Sequence, residues 1–102
     1  MPNFQFQTTY QDDPAISFHG DLIGSSSNAA YASGRITDIA AYRTIAGNVV
    51  VVKTASALHA AEDDRRWVYV FNDEMEIPSK LGYGRLAMDL YRDLGIQQLQ
   101  VA

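Results

Sequence analysis

The sequence contains no cysteine among its 102 residues. This excludes disulfides, thiolate metal sites and cysteine nucleophiles. Small secreted domains often depend on disulfides, so the absence favours the cytoplasm. Long hydrophobic runs are also missing, because the longest aliphatic run, residues 49–52, is far too short to span a bilayer. The first residues lack the pattern of a secretory signal. We therefore expect a cytoplasmic protein with no membrane segment.

Positive charge is scarce as well. Eight Lys and Arg residues stand against twelve Asp and Glu residues, and the formal net charge is −4. A phosphate backbone attracts a basic surface and repels an acidic one, so the composition disfavours nucleic-acid binding. The apolar content of 47% is nevertheless ordinary for a folded domain. A chain of this length forms one domain, so we expect residues 1–102 to fold as a single unit.

Histidine is limited to two positions, and this restricts metal binding. His59 lies close to Glu62, Asp63 and Asp64 in the sequence, but His19 would have to converge with them from a distant strand. A zinc site needs three or four protein ligands in a fixed geometry. A solvated acidic connection beside an exposed histidine is the simpler interpretation. We therefore predict no metal and no cofactor.

What the sequence does contain is alternation typical of β-strands. It predicts strands over residues 3–10, 15–23, 35–45, 48–57 and 66–71, with a Ser-, Ala- and Asn-rich loop over 24–34. The turn between the third and fourth strands centres on Gly47, because glycine readily adopts the positive φ of tight turns. The fourth strand is aliphatic on both faces, which predicts a central strand that is covered on both sides or has one side facing a partner subunit.

A helix is predicted near the C-terminus. Pro78 and Ser79 mark its start, with Ser79 as the N-cap, and Gly95 is placed for a left-handed C-terminal cap. Its apolar face repeats at helical spacing through Tyr83, Leu86, Ala87, Leu90 and Leu94. The predicted fold is α+β: an antiparallel meander of about five strands, one C-terminal helix packed on one face, and a short final strand or tail.

The strongest pattern is the alternation of Trp67, Tyr69 and Phe71 with smaller residues, which places three aromatic rings on one face of the last strand. Such a face either builds the core or contacts a partner. Sheets that stack RNA bases pair exposed rings with basic residues, and the net charge opposes that use. Aromatic residues are enriched at interface centres, so these three residues are our candidate interface for self-association.

A second candidate site follows from the strand face that carries His19 and Asp21. An aspartate beside a histidine orients the imidazole ring and raises its pKa, as general-base sites require. With Tyr42 or Arg43 they could line a pocket beside the 24–34 loop. No nucleophile is indicated. The Gly82-Tyr83-Gly84 stretch begins like a phosphate-binding loop but lacks the third glycine and the lysine of that motif.

Three stretches can be compared with known proteins: Phe18-His19-Gly20-Asp21-Leu22, then Ile36-Thr37-Asp38-Ile39 with Tyr42-Arg43-Thr44, and Gly47 at the turn. Together they resemble a set of small uncharacterised bacterial proteins, some of which end in an EXLDI-like sequence. Residues 99–102 lack the acidic residue of that ending. The resemblance implies a β-rich bacterial domain, and it implies no activity that could be assigned to particular residues.

Two function classes follow from these observations. The first is a small non-catalytic interaction module of a bacterial cytoplasm that self-associates through a sheet face, as a homodimer, or binds another protein. The second is a small enzyme or ligand-binding protein with a pocket near His19, Asp21 and the 24–34 loop. A pocket that holds His19 together with a second polar group would favour the second class.

Overall fold

Five antiparallel strands follow one another along the chain and pair in the same order. They are β1 (Asn3–Phe6), β2 (Ile16–Ser27), β3 (Arg35–Thr44), β4 (Val49–Ala57) and β5 (Arg65–Phe71). The computed structural model describes residues 3–6, 14–29, 35–57 and 65–96. The α+β class and the antiparallel five-strand meander are confirmed. Residues 7–10 of the predicted first strand, the acidic connection around His59, and the predicted final strand or tail lie outside the described residues.

The predicted single helix is wrong, because two helices follow the sheet within residues 65–96. After a 3-10 turn at Glu74–Glu76, α1 spans Ile77–Leu81 and α2 spans Arg85–Asp93. They separate at Gly82, which has φ +77°, a left-handed conformation that ends α1. Gly95 has φ +79°, which confirms the predicted C-terminal glycine cap.

The start of the helical region also differs from the prediction. Asp73, and not Ser79, caps it: the Asp73 carboxylate accepts a hydrogen bond from the Met75 amide. The Glu76 side chain in turn accepts one from the Asp73 amide, which completes a capping box. Ser79 lies inside α1, where its hydroxyl donates to the Glu76 carbonyl. A cap earlier in the sequence therefore fixes where the chain leaves the sheet.

The β3–β4 hairpin forms as predicted. Its turn contains Gly47 with φ +94°, and a Cβ at this position would meet no atom within 4 Å. Beyond the turn, β4 lies between β3 and β5, and its four consecutive valines are all at most 5% exposed. The prediction of a central strand covered on both sides is confirmed.

One face of the sheet is covered by the helices, and we call it the helix face. Its buried cluster joins strand residues to helix residues: Ile39, Ala41, Val49, Val51, Ile77, Ala87, Leu90 and Tyr91. On β2 the register shifts between Leu22 and Gly24, which marks a bulge. A Cβ on Gly24 would lie 2.7 Å from the Leu94 side chain, so this glycine allows the end of α2 to approach β2 closely.

Residues 24–27 therefore do not form a loop. They continue β2 beyond the bulge, and polar groups there hold α2. The Ser25 amide donates to the Asp93 carboxylate at 2.8 Å, and the Ser26 hydroxyl donates to the Leu86 carbonyl at 2.8 Å. The serine-rich composition had predicted a loop, but these serines satisfy helix groups from a strand. Only residues 28–29 of the predicted loop are described beyond β2, and they form a turn.

The opposite face, which we call the aromatic face, is covered by the chain's own first hairpin. β1 pairs with residues 16–19 of β2, and β3 pairs with residues 20–27. The Phe4 ring lies 4.6 Å from the Tyr42 ring on β3, although β1 and β3 are not neighbours in the sheet. The Arg66 guanidinium lies 5.9 Å from the Phe6 ring, which joins the first strand to the last. The sheet therefore curls until β1 lies over this face.

Gly20 is located where β2 passes from one strand partner to the other. A Cβ at this position would lie 2.3 Å from the Arg43 carbonyl oxygen, a distance that real structures do not tolerate. Glycine in a strand often marks a bend or a close approach of backbones. The bend of β2 at Gly20 brings Phe18 to within 5.5 Å of Tyr42, ring to ring, and folds the aromatic hairpin onto the sheet.

Candidate binding groove at the bend of β2

The bend of β2 leaves an open groove of about 470 Å³ between the first part of this strand and the β3–β4 turn. It is lined by Phe18, His19, Thr44, Ile45, Ala46 and Asn48. The lining is largely apolar, and the imidazole, one hydroxyl and one amide are its polar groups. The groove is open to solvent along much of its length, so it forms a cleft and not an enclosed cavity.

Backbone hydrogen bonds fix both walls of this groove. The Ile45 amide donates to the His19 carbonyl at 2.9 Å, which ties the turn to β2. Within the turn, the Gly47 amide donates to the Thr44 carbonyl at 2.9 Å. The Asn48 amide donates to the Thr44 hydroxyl oxygen at 3.1 Å. Because the turn's backbone groups are paired, the groove has a preformed shape, which is typical of binding sites.

Three large apolar side chains at the turn end of the sheet have more than half of their surface exposed, and one of them, Ile45, lines the groove. They are Leu22 at 56%, Ile45 at 66% and Val70 at 57%. The register places Leu22 opposite Tyr42, Tyr42 opposite Val50, and Val50 opposite Val70. Leu22 and Val70 therefore belong to one row across the sheet, roughly 14 Å apart along it. Ile45 begins the turn at the same end.

The four residues of the predicted pocket do not share one site. His19 is exposed and lines the groove. Asp21 pairs with Arg43 across the strands, and Arg43 forms an ion pair with Glu74. Tyr42 lies on the aromatic face among the phenylalanine rings, where burial raises its pKa and the nearby Arg66 charge partly opposes this. Of these four residues, the groove brings only His19 next to other polar groups.

The three residues of the predicted interface are divided between two environments. Tyr69 and Phe71 pack against the buried cluster of the helix face, with their ring centres 6.4 Å apart. Burial raises the pKa of Tyr69. Trp67 is half-buried beside this cluster, with the Lys53 ammonium group 5.2 Å from its ring centre.

Sequence reasoning did not identify Thr44, Ile45, Asn48 or Val70 as site residues. Turn residues and an apolar residue near the end of an edge strand have no distinctive pattern by themselves. The available signal was Gly20, an isolated glycine in a strand with alternating residues, which indicates a bend. Pairing that bend with the predicted hairpin turn would have located the groove.

The lining of this groove determines which contacts it can make. It presents apolar walls and one exposed imidazole, which can donate or accept a hydrogen bond. Within the four described stretches, no group of three His, Asp or Glu side chains is arranged to hold a metal ion. No helix in the described ranges has the length and apolar content needed to cross a membrane.

Comparison with known proteins adds no family to this geometry. The chain matches no protein-family model, and neither curated proteins nor solved structures give a match. A proposal about function therefore depends on the groove and its surroundings alone.

Proposed function

We propose that this protein is a small non-catalytic interaction module of a bacterial cytoplasm, and that it self-associates through the end of the sheet that carries the groove. We call this region the turn-end surface: the groove together with Leu22, Ile45 and Val70. The supporting observation is the exposure of these three side chains at the end of the sheet that carries a largely apolar cleft, which Ile45 itself lines. Single exposed apolar residues are common, but a group of them around a concave site marks an interaction surface.

A second copy of the chain is the partner that this surface fits. Ile45 projects from the turn and also forms one wall of the groove. A two-fold axis between two copies would let each Ile45 enter the groove of the other, because the projection and the cleft adjoin each other. Isologous contacts of this kind are the commonest in soluble homodimers.

Electrostatics also supports association at this end. None of the described residues that form the turn-end surface is Asp, Glu, Lys or Arg. Each copy carries a net charge of −4, so two copies repel one another at long range. An uncharged contact surface adds no repulsion between like charges at the interface itself. Interface centres are typically depleted of charged residues in the same way.

Light scattering coupled to size-exclusion chromatography tests this proposal. We expect a dimer for the wild-type protein and a monomer for Ile45→Asp, because a buried unpaired carboxylate opposes the contact. Met75→Asp is the matched control: Met75 is 51% exposed but lies in the 3-10 turn. A wild-type monomer at roughly 100 μM would contradict a dimer of even micromolar affinity. Equal behaviour of the two variants would contradict this location of the interface.

A second candidate function is small-ligand binding in the same groove. It is favoured by the proximity of His19 to Thr44 and Asn48 in a cleft whose volume lies within the usual range for ligand sites, roughly 300–1,000 Å³. Saturation-transfer NMR with indole and benzamide tests it, with His19→Ala as the comparison. Binding by the wild-type protein that is lost in His19→Ala, together with a wild-type monomer, would replace the first proposal by the second.

A further inference from the structure

The helix face carries a second surface of a different character, away from the turn-end surface. Both lysines of the chain stack on aromatic rings of β5. The Lys53 ammonium group lies 5.2 Å from the centre of the Trp67 ring, and the Lys80 ammonium group lies 5.8 Å from the centre of the Tyr69 ring. Both distances are within the range of cation–π attraction.

The register explains how these groups come together. Lys53 on β4 is directly opposite Trp67 on β5, and Ala55 is opposite Arg65. Residues of one parity share a face, so Arg65, Trp67 and Tyr69 all project toward the helix side. Lys80 reaches the Tyr69 ring from α1. We call Lys53, Arg65, Trp67 and Lys80 the lysine–tryptophan surface.

The described carboxylates of the helical region bond to groups other than the cations of this surface. Glu74 pairs with Arg43, and Asp89 pairs with Arg92. Asp93 accepts a hydrogen bond from the Ser25 amide. Asp73 and Glu76 form the capping box. Three cationic side chains therefore lie on the same side of the sheet as one half-buried tryptophan, in a protein that is acidic as a whole.

We infer that the lysine–tryptophan surface binds an acidic, extended segment of a partner protein. The two ammonium groups and the Arg65 guanidinium provide charge for carboxylates, and the Trp67 ring provides an apolar area for the peptide chain between them. Tryptophan is enriched among residues that dominate binding energy at interfaces. Three cations on a chain of net charge −4 suit a short acidic peptide better than a nucleic-acid backbone.

The fluorescence of Trp67 provides a direct test, because it is the only tryptophan in the chain. Titration of the full chain with a hexaglutamate peptide should change the emission of Trp67 in a saturable manner. The affinity should fall steeply when salt is raised from roughly 20 mM to roughly 300 mM, since exposed charges are screened over such a range. Hexalysine is the negative control and should leave the emission unchanged.

Charge variants locate the site. Lys53→Gln and Lys80→Gln should each weaken hexaglutamate binding by about fivefold, the equivalent of roughly 1 kcal/mol per cation. Arg92→Gln removes the same charge from the outer side of α2 and should change the affinity by less than about twofold. Neutralising Glu62, Asp63 and Asp64, which directly precede Arg65 in the sequence, should strengthen binding by removing like charge. Circular dichroism verifies that each variant is folded.

Three results would overturn the inference. The first is unchanged Trp67 emission at millimolar hexaglutamate. The second is equal affinity of Lys53→Gln and the wild-type protein. The third is tighter binding of a single-stranded oligothymidine than of hexaglutamate, which would assign the surface to nucleic acid through base stacking. None of these results bears on self-association, because Ile45 and the turn-end surface are left unchanged.

Discussion

Along β4 the two faces of the sheet are buried equally well by different means. On β4, Val49 and Val51 lie beneath the helices, and Val50 and Val52 lie beneath the aromatic hairpin, yet all four are almost fully buried. The helices are held by polar bonds as well as by apolar packing, including the Ser25–Asp93 hydrogen bond. The hairpin is held by ring contacts and by the bend at Gly20. This comparison teaches that a small sheet can complete its core with its own first strand.

Truncation beneath the helices should have the largest effect. Leu90 is completely buried in the cluster of the helix face. Leu90→Ala should lower the free energy of unfolding by about 3–4 kcal/mol, because it leaves a cavity. Urea denaturation followed by circular dichroism measures this loss. Met88→Ala, on the exposed side of the same helix, should cost less than about 1 kcal/mol; equal losses would contradict the assignment of the buried face.

A side chain introduced at Gly20, where β2 bends, should destabilise the packing of the aromatic hairpin on the sheet. Gly20→Ala places a Cβ against the Arg43 carbonyl and should cost about 2–3 kcal/mol. Hydrogen exchange should accelerate mainly at the β1 and early β2 amides, with α2 changed little. Gly84→Ala is the control, because a Cβ there meets nothing within 4 Å and its φ is −68°. Uniform acceleration across both faces would show that hairpin and helices do not open separately.

Removal of one ring from the hairpin should have a smaller effect. Phe4 is half-buried and contacts Phe6, Phe18 and Tyr42. Phe4→Ala should cost about 1–2 kcal/mol, because part of the ring already meets solvent. Gln5→Ala, an exposed neighbour on the same strand, should be nearly neutral. Thermal denaturation distinguishes these outcomes. If Phe4→Ala lowered the free energy of unfolding as much as Leu90→Ala, the aromatic hairpin and the helices would contribute equally to stability.

The smallest effect at neutral pH concerns Tyr91. Its hydroxyl donates to the Gly82 carbonyl at 2.6 Å, and burial, with a smaller contribution from Tyr83, raises its pKa to about 12. Tyr91→Phe should cost about 1 kcal/mol at pH 7. The raised pKa means that the Tyr91 hydroxyl stays protonated to a higher pH in the folded state than in the unfolded state. The resulting stability is present below about pH 10 and is lost as pH rises toward 12.

Unfolding followed between pH 9 and 12 measures this loss directly. Tyr91→Phe should show a shallower decline than the wild-type protein. Tyr42 and Tyr69, whose pKa values are also raised by burial, account for a residual slope. Superimposable declines for the two proteins would contradict a role of the Tyr91 phenol in the pH dependence.

Much of the fold could be predicted because period-two alternation and turn glycines are local signals. The β3–β4 hairpin and the Gly95 cap follow from residues within a few positions of each other. The continuation of β2 through Ser25 and Ser26 could not be predicted in this way. These serines form hydrogen bonds with helix groups that lie 68 and 60 positions away in the sequence. The division of the helix required the left-handed conformation of Gly82, which a helical pattern of apolar residues conceals.

The candidate site was predictable only in part for the same reason. His19 was identified from its own strand, but its companions Thr44 and Asn48 depend on the fold of β2 against a distant turn. Asp21 was assigned to the pocket because it shares a strand face with His19, and Arg43 as a possible lining residue, but Arg43 pairs with Glu74 in the structure. Local sequence patterns therefore predicted the strands that form the site. They did not predict which residues of those strands come together in the groove.

The hydrogen bond between Ser25 and Asp93 joins residues 68 positions apart, and this separation has a consequence for synthesis on the ribosome. All five strands leave the exit tunnel before α2 does. At about 5–20 residues per second, the nascent sheet waits several seconds with Val49 and Val51 uncovered. The aromatic hairpin is available from the start. During translation the two faces are therefore completed in a fixed order, and the helix face is the one that a chaperone would meet.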